Sequence, residues 1–223
     1  MIQLKDITKV YEINKNNNVI ALENINLSIK EGELIVLKGS SGSGKSTILS
    51  LIAALSKPTS GEVIVDEKHI SKLPDNFAST YRQGNIGFIF QKYNLIPTLS
   101  VKENILLPLV PLNLDSHEMM EKLSSVMKKF NIAHKEDSLV KSLSGGEQQR
   151  VAIARSYVNN PKIIIADEPT ANLDEKLSLH FIEILKEFKS LGKTVVVATH
   201  DPLFFALDFV DREIEVRKGK LVL

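Results

Sequence analysis

Leu34-Ile35-Val36-Leu37-Lys38-Gly39-Ser40-Ser41-Gly42-Ser43-Gly44-Lys45-Ser46-Thr47 decides the fold of this 223-residue chain. Its first four residues are an unbroken apolar run, the pattern of a strand buried on both faces. A glycine-serine turn follows, and Ile48-Leu49-Ser50-Leu51-Ile52-Ala53-Ala54-Leu55 resumes as an apolar helix. Strand, glycine-rich turn and helix, in that order, form the context that the phosphate-loop pattern Gly-x-x-x-x-Gly-Lys-Ser requires. Here the glycines would let backbone N–H groups turn inward on phosphates, and the helix N-terminus would add its dipole. Lys45 is expected to reach the β- and γ-phosphates of a nucleotide, and Ser46 to ligate magnesium. A chance glycine-serine turn matches this pattern in roughly one chain in a hundred, before the strand-helix context is counted.

Working outward, Ile163-Ile164-Ile165-Ala166 and Thr194-Val195-Val196-Val197-Ala198 are two more near-continuous apolar runs. They predict parallel strands covered on both faces, each followed by a helix, and therefore an α/β core with a mainly parallel sheet. Ile2–Tyr11 and Val19–Ile29 carry β-branched residues in partial alternation on either side of a polar Asn14-Lys15-Asn16-Asn17-Asn18 turn, which predicts an N-terminal antiparallel β layer. From about Ser100 to Asn159 the pattern is helical. Ser100 and Glu103 spell a capping box, and Met119, Leu123, Val126, Met127 and Phe130 recur at helical spacing. This predicts a helical subdomain, residues 93–159, inserted in a core made of 1–92 and 160–223. Three prolines among many leucines between Asn94 and Leu114 mark boundary loops and a short helix with an apolar surface around Tyr93, Leu95 and Ile96.

The bulk composition excludes several classes. Lys and Arg number 28 against 27 Asp and Glu, a net charge of +1, so nothing argues for a nucleic-acid or anionic-membrane surface. The absence of cysteine excludes disulfide staples and thiolate metal sites. Met1-Ile2-Gln3-Leu4-Lys5 lacks the features of a secretory signal, and no apolar run approaches the ~18 residues of a membrane-spanning helix. If a membrane is involved, another chain is expected to span it.

Ile163–Ala166 ends in Asp167-Glu168-Pro169, two adjacent carboxylates where a proline forbids continuation of the ladder. Alternation along the strand points them differently, so Asp167 is expected to face magnesium and Glu168 to orient the attacking water as catalytic base. An acidic pair at a strand end is more often a solvated turn; the phosphate loop is what reverses those odds. Leu143-Ser144-Gly145-Gly146-Glu147-Gln148 opens another helix with a second capping box, Ser144 to Glu147. Its two glycines are a poor choice for helix stability and suggest a backbone that something approaches closely.

Phosphate loop, Leu143–Gln148 signature and acidic strand end, in this order, resemble an ABC-type ATPase, and the resemblance runs essentially end to end. It implies a P-loop NTPase core that binds ATP and Mg2+ through Gly39, Ser40, Ser41, Gly42, Ser43, Gly44, Lys45, Ser46 and Thr47. The family's remaining positions match residue by residue. Tyr11 matches the aromatic that stacks on adenine; Gln91, after Ile86-Gly87-Phe88-Ile89-Phe90, matches the glutamine that touches magnesium and water. Asp174 closes Ala171-Asn172-Leu173-Asp174, the loop that crosses to a second subunit, and His200 matches the histidine that contacts the γ-phosphate. A lone histidine at a strand end is usually a capped or half-buried residue; its place in this series promotes it. In this family the signature serves the ATP of the opposite subunit, so Ser144, Gly145, Gly146 and Glu147 are implied to work only in a homodimer.

One phosphate loop, one signature and no coiled-coil heptads leave no likeness to the chromosome-maintenance, DNA-repair or tandem translation branches. Ile89 to Asn104, with Leu107-Pro108-Leu109, resembles the lipoprotein-release, macrolide-export and antimicrobial-peptide-resistance ATPases, and the related cell-division ATPase. That branch implies an integral membrane permease partner and a cytoplasmic location on the inner face of the membrane. It also leaves open a nucleotide-gated scaffold that regulates cell-wall or division enzymes without transport. An importer ATPase would often carry an extra C-terminal regulatory domain, for which little sequence remains after the expected final strand.

Overall fold

The structure, a computed structural model, describes residues 1–14, 17–171 and 173–222. Two sheets and six α-helices are built from them. The N-terminal sheet has the order β2-β1-β4-β5, from β1 (Ile2–Asn14), β2 (Asn17–Ile29), β4 (Ser60–Val65) and β5 (Lys68–His69). All its pairings are antiparallel, and the register sets Ile2 opposite both Ile29 and Val65, and Leu4 opposite both Leu27 and Val63. Alternate residues of three strands thereby share one apolar face. The predicted hairpin is present and longer than its alternation suggested; Lys15 and Asn16, within the predicted turn, lie outside the described residues.

The second sheet runs β10-β9-β3-β8-β7-β6, from β3 (Leu34–Lys38), β6 (Ile86–Ile89), β7 (Ile163–Asp167), β8 (Thr194–Thr199), β9 (Arg212–Arg217) and β10 (Lys220–Val222). Only β10 is antiparallel to its neighbour. Alternation divides its central strands between two cores. Leu34, Val36, Ile164, Ala166, Val195 and Val197 pack on the face that carries most of the helices. Ile35, Leu37, Ile163, Ile165, Val196 and Ala198 pack on the face shared with the antiparallel sheet and helix α1 (Lys45–Ile52). Both faces being dry is why these strands read as continuous apolar runs, and each fully buried Val, Leu or Ile among them contributes about 1.5–3 kcal/mol.

The stretch from Ser100 to Asn159 resolves into α3 (Val101–Leu106), α4 (Ser116–Lys129) and α5 (Gly145–Tyr157), with 3-10 turns between them. Pro108 and Pro111 hold Leu107–Leu112 in 3-10 form, because a proline supplies no N–H to an α-helical ladder. The Ser100 capping box forms: the Glu103 amide donates to the Ser100 hydroxyl at 3.2 Å, and the Ser100 amide donates to the Glu103 carboxylate at 2.7 Å. Leu123, Val126, Met127 and Phe130 are buried, as the spacing predicts, in a core continuous with the sheet. Two further helices are α2 (Asp75–Asn85) and α6 (Glu175–Ser190).

Two expectations fail. Among the described residues no α-helix follows β8; a 3-10 turn, Pro202–Phe204, takes its place because Pro202 interrupts the chain three residues after the strand. Tyr93 is buried and Leu95 half-buried, both folded inward, so the exposed apolar groups of that region are Ile96 at 41%, Val110 at 61% and Leu112 at 39%. Among the described residues, no helix is long and apolar enough to cross a membrane.

Candidate nucleotide site

The parallel register sets Lys38 beside Thr199 and Asp167 beside Ala198, so β3, β7 and β8 end level with one another. The segment Gly39–Gly44, the Asp167-Glu168 pair and His200 all leave the sheet from that edge, where ligands of open α/β sheets bind.

Within the loop the glycines have structural causes. Gly44 has φ +113, and a Cβ there would lie 2.8 Å from the Ala21 carbonyl oxygen; at Gly39 a Cβ would lie 2.3 Å from that of Val216. Only glycine fits a turn pressed this closely on neighbouring strands. Gly44 is the N-cap of α1 and supplies no side chain to it, so the first amides of that helix lack a side-chain partner and face the loop's mouth.

Lys45 begins α1 and is nine-tenths buried. Its ammonium donates to the carbonyls of Gly39 at 2.7 Å and Ser40 at 3.2 Å, and lies 3.2 Å from Glu168 Oε1. The other oxygen of Glu168, Oε2, lies 3.0 Å from His200 Nδ1 and accepts from the His200 amide at 3.2 Å. Burial pushes the Glu168 carboxyl up; His200 and Lys45 together outweigh it and hold the group below the usual glutamate value. A carboxylate has no proton to give, so Nδ1–H is the donor in the bond from His200. Glu168 itself sits at φ +44, in the left-handed region, with its amide bonded to the Ala198 carbonyl at 2.8 Å. For a non-glycine residue that conformation is strained, and it turns the side chain out of the strand toward the loop.

Ser46, the next residue of α1, donates its hydroxyl to Asp167 Oδ1 at 2.9 Å. Burial pushes the Asp167 carboxyl above the usual aspartate value, with Glu168 adding to the rise, while Ser46 and Lys45 pull against it.

A cleft of about 350 Å3 opens over these groups, lined by Val19, Ile20 and Ala21, the loop from Ser41 to Thr47, and Gln91, Glu168 and His200. Val19, Ile20 and Ala21 were not anticipated from the sequence; Val19 and Ile20 are exposed apolar residues on a strand, which is the signal that could have found them. Tyr11 pairs with Val19 across β1 and β2 and stands outside the cleft lining, 40% exposed, with the Lys9 ammonium 4.9 Å from its ring.

The signature residues and Asp174 are likewise outside the lining. Ser144 caps α5: its amide donates to Glu147 at 2.8 Å and its hydroxyl accepts from the Glu147 amide at 3.4 Å. The Ser144 amide and hydroxyl, with Lys135, hold the Glu147 carboxyl down to about 2. The two glycines differ in cause. A Cβ on Gly146 would meet Leu177 of α6 at 2.9 Å, whereas a Cβ on Gly145 would meet nothing within 4 Å. Close packing within the chain therefore explains Gly146, and among the described residues no contact explains Gly145. Asp174 caps α6, accepting from the Leu177 amide at 2.9 Å; Asn172 lies outside the described residues.

Phosphate loop, acidic strand end and parallel sheet define a P-loop nucleoside-triphosphate-binding domain. The sequence pattern of the family described as ABC transporter matches residues 22–171. The chain is 45% identical over 226 residues to an ABC transporter ATP-binding protein, MJ0796 of Methanocaldococcus jannaschii, covering 99% of this chain and 95% of that one. It is 41% identical over 222 residues to the macrolide export ATP-binding/permease protein MacB of Campylobacter jejuni, covering all of this chain but 34% of MacB. The chain thus spans about a third of the length of that relative. Among solved structures, the dimeric MJ0796 cassette superposes with a TM-score of 0.92 at 41% identity, covering 100% of this chain and 97% of that one. A dimeric post-hydrolysis state of MJ0796 bound to ADP and Pi superposes with a TM-score of 0.91, with the same coverage and identity. The chain belongs to the ABC transporter family, as its ATP-binding, ATP-hydrolysing cassette.

Proposed function

We propose that this cassette works as a homodimer on the cytoplasmic face of a membrane, where ATP turnover drives a permease of the macrolide-export type. The name and the permease portion of MacB, and the dimers formed by MJ0796, support that reading. Nothing in the relatives favours a scaffold without transport. Residues 93–159 would form the helical subdomain that presents the signature to the second subunit.

One observation carries the assignment of roles: Glu168 is gripped from both sides, by Lys45 at 3.2 Å and His200 at 3.0 Å, directly above the phosphate loop. With its pKa held low, Glu168 is ionised at neutral pH, the form needed to orient a water and accept its proton. His200 keeps that carboxylate turned into the cleft. Lys45 and the amides from Gly42 to Thr47 would hold the phosphates, with Gly39, Ser40 and Ser41 shaping the turn; Gln91 would order the water from the opposite wall. Tyr11 would stack on adenine, flanked by Val19 and Ile20. Ser144, Gly145, Gly146 and Glu147, with Asp174, would serve the nucleotide held by the partner subunit.

Magnesium fits the donors present: a hydroxyl and a carboxylate 2.9 Å apart, Ser46 and Asp167, with the Gln91 amide on the same cleft. Bound there, the cation would neutralise charge on the phosphate oxygens. Asp167, whose burial disfavours its charged form, would then be held ionised.

Glu168→Gln tests the reading. The amide keeps the shape and loses the charge, and general-base contributions are typically ~10²–10⁴-fold, so hydrolysis should fall by that factor while ATP stays bound. A ligand that bridges two subunits stabilises the assembly by mass action, so the variant should elute as a dimer in Mg-ATP. Hydrolysis at the wild-type rate would remove Glu168 from the role of base.

A further inference from the structure

Helix α5 does not line the cleft, but it bonds to the segments that follow two of the lining residues, Glu168 and Gln91. Gln149, the residue directly after the signature and only 4% exposed, donates its Nε2 to the Pro169 carbonyl at 3.1 Å. Pro169 directly follows Glu168, and as a proline it offers no N–H with which another element could hold that turn. Beyond it, the Thr170 hydroxyl donates to Asp201 Oδ2 at 2.7 Å, and Asp201 directly follows His200. The strained left-handed turn at Glu168 is therefore fixed on one side by α5 and on the other by the segment that carries His200.

Six residues further along the helix, Arg155 grips the segment that follows Gln91. Its Nη1 donates to the Asn94 carbonyl at 2.7 Å and its Nη2 to the Tyr93 carbonyl at 2.6 Å. Tyr93 and Asn94 are consecutive left-handed residues, at φ +59 and +48, in the turn that begins at Gln91. Among the described residues no carboxylate lies within ion-pair distance of Arg155, so these two carbonyls are what its half-buried charge is set against. A planar fork suits that paired geometry in a way an ammonium does not. Six residues amount to about 9 Å of helix and roughly 240° of rotation, which sends the two side chains to different sides of α5. The helix is wedged in place. At its start Gly146 presses on Leu177, and near its end a Cβ on Gly87 of β6 would lie 2.4 Å from the Ser156 carbonyl oxygen.

We propose that Gln149 and Arg155 are positioning residues, through which α5 sets the placement of Glu168 and Gln91 in the cleft of its own chain. Because the first turn of α5 is the signature, contact between that turn and a partner's nucleotide would bear on hydrolysis in the chain that supplies it. The inference rests on the roles given above to Glu168, Gln91 and the signature.

Gln149→Met, which keeps the length and removes the donor, and Arg155→Lys and Arg155→Met are to be compared in the full-length protein with Mg-ATP. A misplacement on the order of 1 Å costs up to ~100-fold in rate, so kcat should fall roughly 10- to 100-fold while the ATP dissociation constant stays within about twofold. Arg155→Lys should recover part of the rate lost in Arg155→Met. In single-turnover hydrolysis, Gln149→Met should cause no further loss in a Glu168→Gln background, because it acts through that carboxylate; a merely structural defect would still subtract. Wild-type kcat in Gln149→Met and Arg155→Met, a parallel loss of ATP affinity, or an undiminished effect in the Glu168→Gln background would each overturn the proposal. Should Glu168→Gln keep the wild-type rate, the functional reading itself fails; if Glu168→Gln is inactive and Gln149→Met is not, only this inference does.

Discussion

Gly44→Ala should abolish tight ATP binding while leaving the protein folded, and the structure sets the scale of the loss. Gly44 has φ +113 and ψ −2, outside the regions open to an L-residue, and such conformations cost on the order of 1–3 kcal/mol. The added methyl would also stand 2.8 Å from the Ala21 carbonyl oxygen and 2.8 Å from Leu22 Cδ2. Leu22 can turn a little, but the carbonyl belongs to β2, and forced overpacking of this kind costs about 1–3 kcal/mol. The sum, about 2–6 kcal/mol, is comparable to a whole domain's stability of ~5–15 kcal/mol. The chain has a cheaper escape, which is to unwind the loop and the first turn of α1. The loop would then reach its binding conformation only at that cost, so affinity should fall by about 30-fold at the low end and beyond 10⁴-fold at the high end. Titration calorimetry with ATP measures this, alongside urea unfolding to confirm a cooperative transition. A dissociation constant within threefold of wild type would refute the argument, because neither strain nor clash could then be present in the binding conformation.

Tyr11→Ala should weaken ATP binding by about 1–3 kcal/mol, the usual worth of stacking an aromatic on a base, with no change in melting temperature because the ring is 40% exposed. Unchanged affinity by calorimetry would assign base contact to Val19 and Ile20 alone. Ser144→Arg should block dimer closure but spare ATP binding in the monomer, and mixing it with Lys45→Ala should restore up to one competent site per heterodimer. Complete absence of recovered ATPase activity in verified heterodimers that can turn over at one site would count against sites shared between subunits. Gly87→Ala places a methyl 2.4 Å from the Ser156 carbonyl oxygen and 2.8 Å from Pro161 Cγ. Overpacking of about 1–3 kcal/mol should lower the thermal midpoint by roughly 2–12 °C for a chain of this length; a midpoint at or above wild type would show that α5 can recede from β6 freely.

How much of the fold was legible depended on how strongly each element's burial left its mark on composition. β3, β7 and β8 are dry on both faces, so continuous apolar runs announced them. The Ser100 and Ser144 capping boxes are local devices, fixed by residues three apart, and both formed as spelled. Elements whose burial is thin were opaque: α2 buries only Ala78 and Tyr81 among polar neighbours, and β5 has two residues, both exposed. The missing helix after β8 had a local sign in Pro202, but the preceding alternation of strands and helices argued the other way. The inward fold of Tyr93 and Leu95 is not legible in sequence, because a run of large apolar residues beside prolines does not say which way a turn folds. Arg155, 62 residues away in sequence, draws the Tyr93 carbonyl inward and decides it.

At the site, the residue types were legible and their wiring was not. Gly39 to Thr47 and the Asp167-Glu168 pair carry spacing that chemistry demands, and strand alternation was sound for Asp167, which meets Ser46. For Glu168 alternation gave the right divergence for an incomplete reason, since the strand has ended and a left-handed turn redirects the side chain. Nothing local to Glu168 predicts that strain; it is held by the Ala198 carbonyl, by Lys45 and His200, and by what α5 does to Pro169. Gln149 illustrates the limit most clearly. In sequence it is one of two adjacent glutamines on a polar helical turn, indistinguishable from Gln148. In the structure Gln148 bonds back to the Leu143 carbonyl of its own helix start, while Gln149 points into the protein and meets the Pro169 carbonyl, next to Glu168. The difference of one position, about 100° around a helix, separates a residue that finishes a cap from one that holds the turn after Glu168, and only the packing of α5 against β6 and α6 fixes which is which.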